Sequence, residues 1–163
     1  MIGCAPFAAC PKANSSRRTD PPLTRIEIEE GASLALDFHK LDNVGGCVPV
    51  AIQLADSREL VLIAYTNEAA MREAFRTRRL VLYSTSRNEF WEKGATSGHR
   101  YELVSAFVNC EQNSLLYQVL PLADNLPGGI CHTSGAAGAA RATCFYREID
   151  MATLALKNSE PRA

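Results

Sequence analysis

Val48-Pro-Val-Ala-Ile-Gln-Leu-Ala-Asp-Ser-Arg-Glu-Leu-Val-Leu-Ile-Ala-Tyr-Thr-Asn-Glu-Ala-Ala-Met-Arg-Glu-Ala-Phe-Arg-Thr-Arg-Arg79 is the stretch that decides the fold class. Val48 to Leu54 and Glu59 to Tyr65 are rich in β-branched and aliphatic residues. Between them Ala55-Asp-Ser-Arg58 has the composition of a hairpin turn. Thr66 or Asn67 then offers a side-chain oxygen to cap a helix, with Glu68 in its first turn, where a negative charge suits the helix dipole. Met71, Ala74 and Phe75 fall on one helical face, and the helix ends near Arg79. Arg76, Arg78 and Arg79 read as a solvated helix end. Two strands and a helix in that order open an α+β domain.

Upstream, Arg25 to Glu29 alternates and reads as a short strand. Downstream, Leu80 to Thr85 returns as a strand, and Ser86 to His99 is a polar, glycine-bearing loop. Tyr101 to Val108 and Ser114 to Leu120 are strands joined by Asn109-Cys-Glu-Gln-Asn113. A long Gly-, Pro- and Ala-rich loop covers Pro121 to Ala142, a last strand covers Thr143 to Glu148, and the final residues fray. The reading is a mostly antiparallel sheet with one main helix. It gives a flexible N-terminal extension over 1–24, one domain over 25–150 and a C-terminal tail over 151–163.

Across 163 residues the formal net charge is -1, with no basic footprint for nucleic acid and no polybasic patch for anionic lipid. No apolar run reaches the ~18 residues of a membrane span. The first residues lack a basic n-region and Pro6 interrupts their apolar stretch, so they do not read as an export signal. The expected compartment is the cytoplasm, where the six cysteines stay reduced.

Cys110, Cys131 and Cys144 are the first candidates for chemistry. Three thiolates plus water fit tetrahedral zinc. There is no C-x-x-C, however, and spacing alone leaves buried structural thiols as the other reading. His132 follows Cys131 and reads as a ligand, a proton shuttle or a surface residue; His99 is equally open. Ser84 to Gly98 mixes hydroxyls, cations and one tryptophan. It suits either a phosphate-binding loop, with Trp91 stacked on a base, or a solvated loop with one aromatic anchor.

Three segments carry a resemblance. Val61-Leu-Ile-Ala-Tyr-Thr-Asn-Glu-Ala-Ala-Met71 is one. Tyr83-Ser-Thr-Ser-Arg-Asn-Glu-Phe-Trp-Glu-Lys-Gly-Ala-Thr-Ser-Gly98 is the second, and Asn109-Cys110, Cys131-His-Thr133 and Cys144-Phe-Tyr-Arg147 make up the third. In this order they resemble the phosphoribosyl-AMP cyclohydrolase family, with its S-R-S…L-W-x-K-G-x-T-S-G block and its D-C-D-x-D, C-H-T-G and S-C-F-Y-R elements. The resemblance spans about Leu36 to Glu148. It implies that Cys110, Cys131 and Cys144 bind zinc in a site shared across an intertwined homodimer. It implies proton transfer by His132, and a nucleotide substrate held by Ser84, Ser86, Arg87, Trp91, Lys93, Thr96, Ser97 and Gly98. The implied reaction opens the N1–C6 bond of the purine ring in phosphoribosyl-AMP, a step of histidine biosynthesis.

The chain also departs from the family pattern. The carboxylates that flank the first zinc cysteine and bind magnesium are here Asn109, Glu111 and Asn113. Magnesium prefers anionic oxygens in a strict octahedron, so this degraded site is weak or absent. The glycine of C-H-T-G has moved to Gly135, Ala95 replaces a common acidic residue, and the loops before Cys131 and Cys144 are lengthened. These departures keep two further readings open. One is a paralogue acting on another purine-like nucleotide or heterocycle, and the other is a non-catalytic zinc-stabilised nucleotide-binding dimer.

Overall fold

A computed structural model describes Leu36, Phe38 and residues 46–123, 129–135 and 138–158. The N-terminal extension and the strand expected at 25–29 lie outside the described residues.

Six strands form one sheet: β1 (Val48–Leu54), β2 (Leu60–Thr66), β3 (Val81–Ser84), β4 (Glu89–Glu92), β5 (Tyr101–Val108) and β6 (Leu115–Pro121). Their order across the sheet is β4-β3-β2-β1-β6-β5. Every pair is antiparallel except β1 with β6. The expected α+β class and mostly antiparallel sheet are what the chain forms. The β1–β2 hairpin closes where Leu54 N–H donates to the Glu59 carbonyl (2.9 Å) and Arg58, at φ 63°, turns the chain.

The helix α1 (Glu68–Thr77) starts at Asn67, whose Oδ1 accepts the Ala70 N–H at 2.9 Å. Of the two candidate caps, Asn67 is the one used. The helix stops at Arg78, which adopts the left-handed conformation, slightly before the expected Arg79. Ala70, Met71 and Ala74 are buried, and Phe75 packs beside them with its ring 5.9 Å from Tyr117 of β6. The helix thus covers the sheet face that carries Val50, Ile52 and Tyr117. Its pairs Arg72–Glu68 (i,i+4) and Arg76–Glu73 (i,i+3) lie on the solvated face and contribute little beside the packing of the apolar face.

The opposite sheet face is apolar as well. Side chains directly opposite one another in a ladder share a face. The register therefore sets Ile63, Ala51, Leu116 and Phe107 in one row across four strands. Ile63 is 53% exposed and Phe107 51%. A soluble sheet face normally alternates to polar on the side away from its helix. This one does not.

Three expectations need correction. Ser86 to His99 is not wholly a loop: Glu89–Glu92 pairs with β3, because Phe90 and Trp91 supply aromatic side chains that pack partly against the core. The strand expected over Thr143 to Glu148 forms instead at Arg147–Ile149 (β7). Thr143 and Cys144 instead dock on β2, as described below. The tail does not simply fray, since Leu156–Asn158 (β8) pairs with β7. Asp150 organises that turn: its Oδ1 accepts the N–H groups of Ala152 and Thr153, and its Oδ2 accepts from Lys157 at 2.8 Å. Among the described residues no helix is long and apolar enough to cross a membrane.

Candidate active site

The site grows from the β3–β4 turn. Asn88 adopts φ 56° and donates its N–H to the Ser84 carbonyl at 2.8 Å, while the Tyr83 hydroxyl closes on its side-chain oxygen. This tight turn puts the Ser84 and Ser86 hydroxyls 3.3 Å apart and aims the Arg87 N–H at Ser84 Oγ. An open cleft of about 470 Å³ lies against it, lined by Ala64, Tyr65, Tyr83, Thr85 and the predicted Ser84, Ser86, Arg87, Trp91 and His132. Two cations flank the Trp91 ring: Arg87 at 5.9 Å and Lys93 at 6.0 Å from its centroid. Hydroxyls and a guanidinium beside an aromatic face are the groups that hold a phosphate and stack a base.

Thr96, Ser97 and Gly98 are not among the residues lining the cleft. They form a closed turn in which the Gly98 N–H donates to the Gly94 carbonyl at 2.9 Å. Gly94 sits at φ 86°, and a Cβ there would lie 2.0 Å from the His99 carbonyl oxygen, so only glycine fits. His99 is buried behind this turn.

Lys93 turns inward toward two sulfurs. Burial pulls its pKa down, and the nearby Cys144 and Cys131 pull it back up. The two thiols are near enough that each shifts the other's proton affinity. Cys144 gets there through β2. The β1–β2 ladder slips between Ile52 and Gln53, which skips Val61, and the Val61 carbonyl accepts the Cys144 N–H at 2.9 Å. On the other side, Cys131 Sγ lies 3.1 Å from Thr133 Oγ1 and accepts the Thr133 N–H at 3.5 Å.

The two thiols differ in proton affinity. Burial pushes Cys131 up, but the Thr133 hydroxyl and N–H, the Cys144 hydrogen bond and Lys93 outweigh it, leaving its pKa below the ordinary thiol value. Cys144 is pushed up to about 11 by burial and by the hydrogen bond and charge of Cys131, against a smaller pull from Lys93. In the pH range between the two values the pair holds one proton. A divalent cation can take that proton's place, because coordination deprotonates a thiol.

Cys110 is elsewhere. It is exposed in the β5–β6 turn. Among the described residues no group of three His, Cys, Asp or Glu converges as a metal site. Among the described residues one chain thus gathers two of its three candidate sulfur donors, Cys131 and Cys144, and leaves Cys110 apart.

The residues at the degraded magnesium site are bonded to one another. Asn109 Nδ2 donates to Asn113 Oδ1 (2.8 Å), Asn113 Nδ2 donates to Glu111 Oε2 (2.6 Å), and Asn109 Oδ1 accepts the N–H groups of Asn113 and Ser114. Two of the three side chains are neutral amides whose N–H groups bond within the cluster, leaving Glu111 as the one anionic oxygen donor among the three. These residues do not fit magnesium.

Sequence reasoning missed Thr133, Arg141 and Tyr146. Thr133 lies within a recognised motif without an assigned role, and Arg141 lies in the Gly-, Pro- and Ala-rich loop.

The phosphoribosyl-AMP cyclohydrolase family model matches residues 62–146. The phosphoribosyl-AMP cyclohydrolase of Methanoregula boonei is 36% identical over 128 residues, covering 78% of this chain and 92% of the relative. That of Caulobacter vibrioides is 34% identical over 131 residues, covering 80% and 85%. The histidine biosynthesis bifunctional protein HisIE of Thermus thermophilus is 39% identical over 104 residues, covering 64% of this chain, which spans only 44% of that longer relative. The match over 62–146 includes the cleft, Cys110 and the Cys131–Cys144 pair, and with relatives covered over most of their length it shows that the chain is a cyclohydrolase of the phosphoribosyl-AMP cyclohydrolase family.

Proposed function

We propose that the protein hydrolyses the N1–C6 bond of the purine ring in phosphoribosyl-AMP, a step of histidine biosynthesis, as a cytoplasmic, zinc-dependent homodimer. The observation that carries this reading is the adjacent Cys131–Cys144 pair, with His132 on the wall of a cleft that also holds Ser84, Ser86, Arg87 and Trp91. Cys110, Cys131 and Cys144 would hold zinc, which when bound supplies Lewis acidity and lowers the pKa of water for attack at C6.

The chain's own residues do the rest. Trp91 stacks the purine, and Arg87 with the Ser84 and Ser86 hydroxyls takes a phosphate, fixing C6 over the sulfur pair. Thr96, Ser97 and the backbone at Gly98 remain candidates for the second phosphate. Lys93 offsets thiolate charge. The water's oxygen ends on C6 as a carboxamide, the N1–C6 bond breaks, and N1 gains a proton. His132, next in sequence to Cys131 and exposed to the cleft, is placed to carry that proton.

Two features support the dimer. The apolar row Ile63–Ala51–Leu116–Phe107 is half exposed, and a second copy would bury it. The exposed Cys110 then reaches the partner's Cys131–Cys144 pair. Magnesium has no part in this reading, because Asn109 and Asn113 are neutral amides bonded to their neighbours where it would need anionic oxygens. The same amides favour a second reading, a paralogue acting on a different purine-like nucleotide.

Purified protein assayed on phosphoribosyl-AMP, with zinc measured by elemental analysis, tests both. Turnover without added magnesium, lost in Cys131→Ser, is the expected result. A zinc-replete protein that leaves phosphoribosyl-AMP intact but turns over a related nucleotide would transfer the reading to the paralogue.

A further inference from the structure

Arg141 connects the two cysteine-bearing segments. Its backbone is woven into the first: the Cys131 N–H donates to the Arg141 carbonyl at 3.0 Å, and the Arg141 N–H donates to the Thr133 carbonyl at 3.1 Å. The approach is close enough that a Cβ on Gly129 would lie 2.1 Å from the Arg141 carbonyl oxygen. Its side chain reaches both segments. Arg141 Nη1 donates to Thr133 Oγ1 at 3.0 Å, and that hydroxyl lies 3.1 Å from Cys131 Sγ. The same guanidinium lies over the Tyr146 ring, 4.0 Å from its centroid, two residues beyond Cys144. Arg147 also approaches Tyr146, at the longer distance of 5.3 Å.

A planar guanidinium can donate in its plane and stack on its face at once. That combination bridges Thr133 and Tyr146. A thiolate at Cys131 can only accept, so the Thr133 hydroxyl then turns its hydrogen to sulfur while its oxygen takes the Arg141 N–H. One side chain thus touches both the hydroxyl at one sulfur and the segment bearing the other, a segment that the Val61 carbonyl also anchors.

We infer that Arg141 is a positioning residue that sets the spacing and orientation of the Cys131 and Cys144 sulfurs through Thr133 and Tyr146. Its role in zinc binding rests on the function proposed above; its role in the sulfur pair does not. Lysine keeps the charge but lacks the plane, so Arg141→Lys is expected to fail almost as Arg141→Ala does.

The test uses full-length, metal-free, reduced protein in a Cys4→Ser/Cys10→Ser background. Phenylarsine oxide bridges two neighbouring thiols with release of water, and it reports the pair without any metal. Wild type should bind it tightly, with loss on Cys144→Ser. Arg141→Ala, Arg141→Lys and Thr133→Val should each weaken it, and competitive zinc titration should show affinity losses of about 10- to 100-fold, the range for partners that orient a ligand. Melting temperatures of the metal-free variants should stay near wild type, which separates positioning from unfolding. Arsenical and zinc affinities unchanged in Arg141→Ala would overturn the inference. Should wild type bind the arsenical but not zinc, the zinc reading fails, and the arsenical series alone decides the role of Arg141.

Discussion

The β5–β6 turn and the 129–146 segment both present thiols, and they hold them in opposite ways. In the turn, Cys110 is exposed on a loop closed by its immediate neighbours: Asn109 Oδ1 accepts two backbone N–H groups, and Asn109, Asn113 and Glu111 bond in a chain. In the segment, Cys131 and Cys144 are held by distant partners, through the Val61 carbonyl of β2, Lys93 beyond β4, and Arg141. The turn is pre-formed by local sequence, whereas the pair exists only once the sheet is assembled. A thiol on a rigid exposed turn suits reaching another molecule. A half-buried pair sharing a proton suits receiving a cation.

Removing either kind of thiol should have the largest effect and break the comparison most sharply. Cys131→Ala and Cys110→Ala should both lower turnover, on the order of 10³-fold or more if both serve one metal. Chemical unfolding of the metal-free protein should distinguish them. Cys110→Ala should change stability by about 0.5 kcal/mol or less, as surface substitutions do, while Cys131→Ala should cost about 1 kcal/mol or more. Equal stability losses would contradict the contrast between an exposed and an anchored thiol.

The turn can be tested by returning its carboxylates. Asn109→Asp/Asn113→Asp removes both amide donors and brings like charges against Glu111. Without divalent cations it should cost about 1–3 kcal/mol, from orphaned acceptors and repulsion. Added Mg²⁺ should restore the double variant and leave wild type unmoved. Thermal melts with and without Mg²⁺ read both, and a wild-type shift with Mg²⁺ would mean the amides do not occupy that position.

The smallest effect is a pH signature of the pair. Cys144 holds its proton up to about 11, above the ordinary 9.0, so its contribution to folding is present below 9.0 and lost as pH rises toward 11. Cys131 runs the other way, contributing above the ordinary value and losing it as pH falls through its lowered one. Metal-free wild type should lose stability between pH 9 and 11 relative to Cys144→Ser. Parallel curves would deny the shared proton.

Much of this was legible in sequence. Tyr101–Val108 is a strand with the bounds expected for it, and the Asn67 cap lies where the helix signal put it. The strand Glu89–Glu92 was not legible, because charged Glu89 and Glu92 bracket only two aromatics and the pairing that makes them a strand comes from β3. Thr143 and Cys144 read as a strand because β-branched and aromatic residues cluster there, yet a bulge in β2 exposes the Val61 carbonyl and captures them. The motifs marked the cysteines, and the resemblance implied one metal for all three. Only coordinates show that a single chain gathers two of them. Arg141 was invisible for the same reason, since a lone arginine among alanines and glycines has no pattern.

Mixing two inactive variants tests the central claim, that Cys110 of one copy completes the Cys131–Cys144 pair of another. Cys110→Ala and Cys144→Ala should each be inactive and zinc-poor alone. Unfolded together and refolded, they should recover about a quarter of wild-type turnover and zinc, since half the dimers are mixed and each holds one intact site. No recovery from a mixture that refolds into dimers, or full zinc in Cys110→Ala alone, would contradict it.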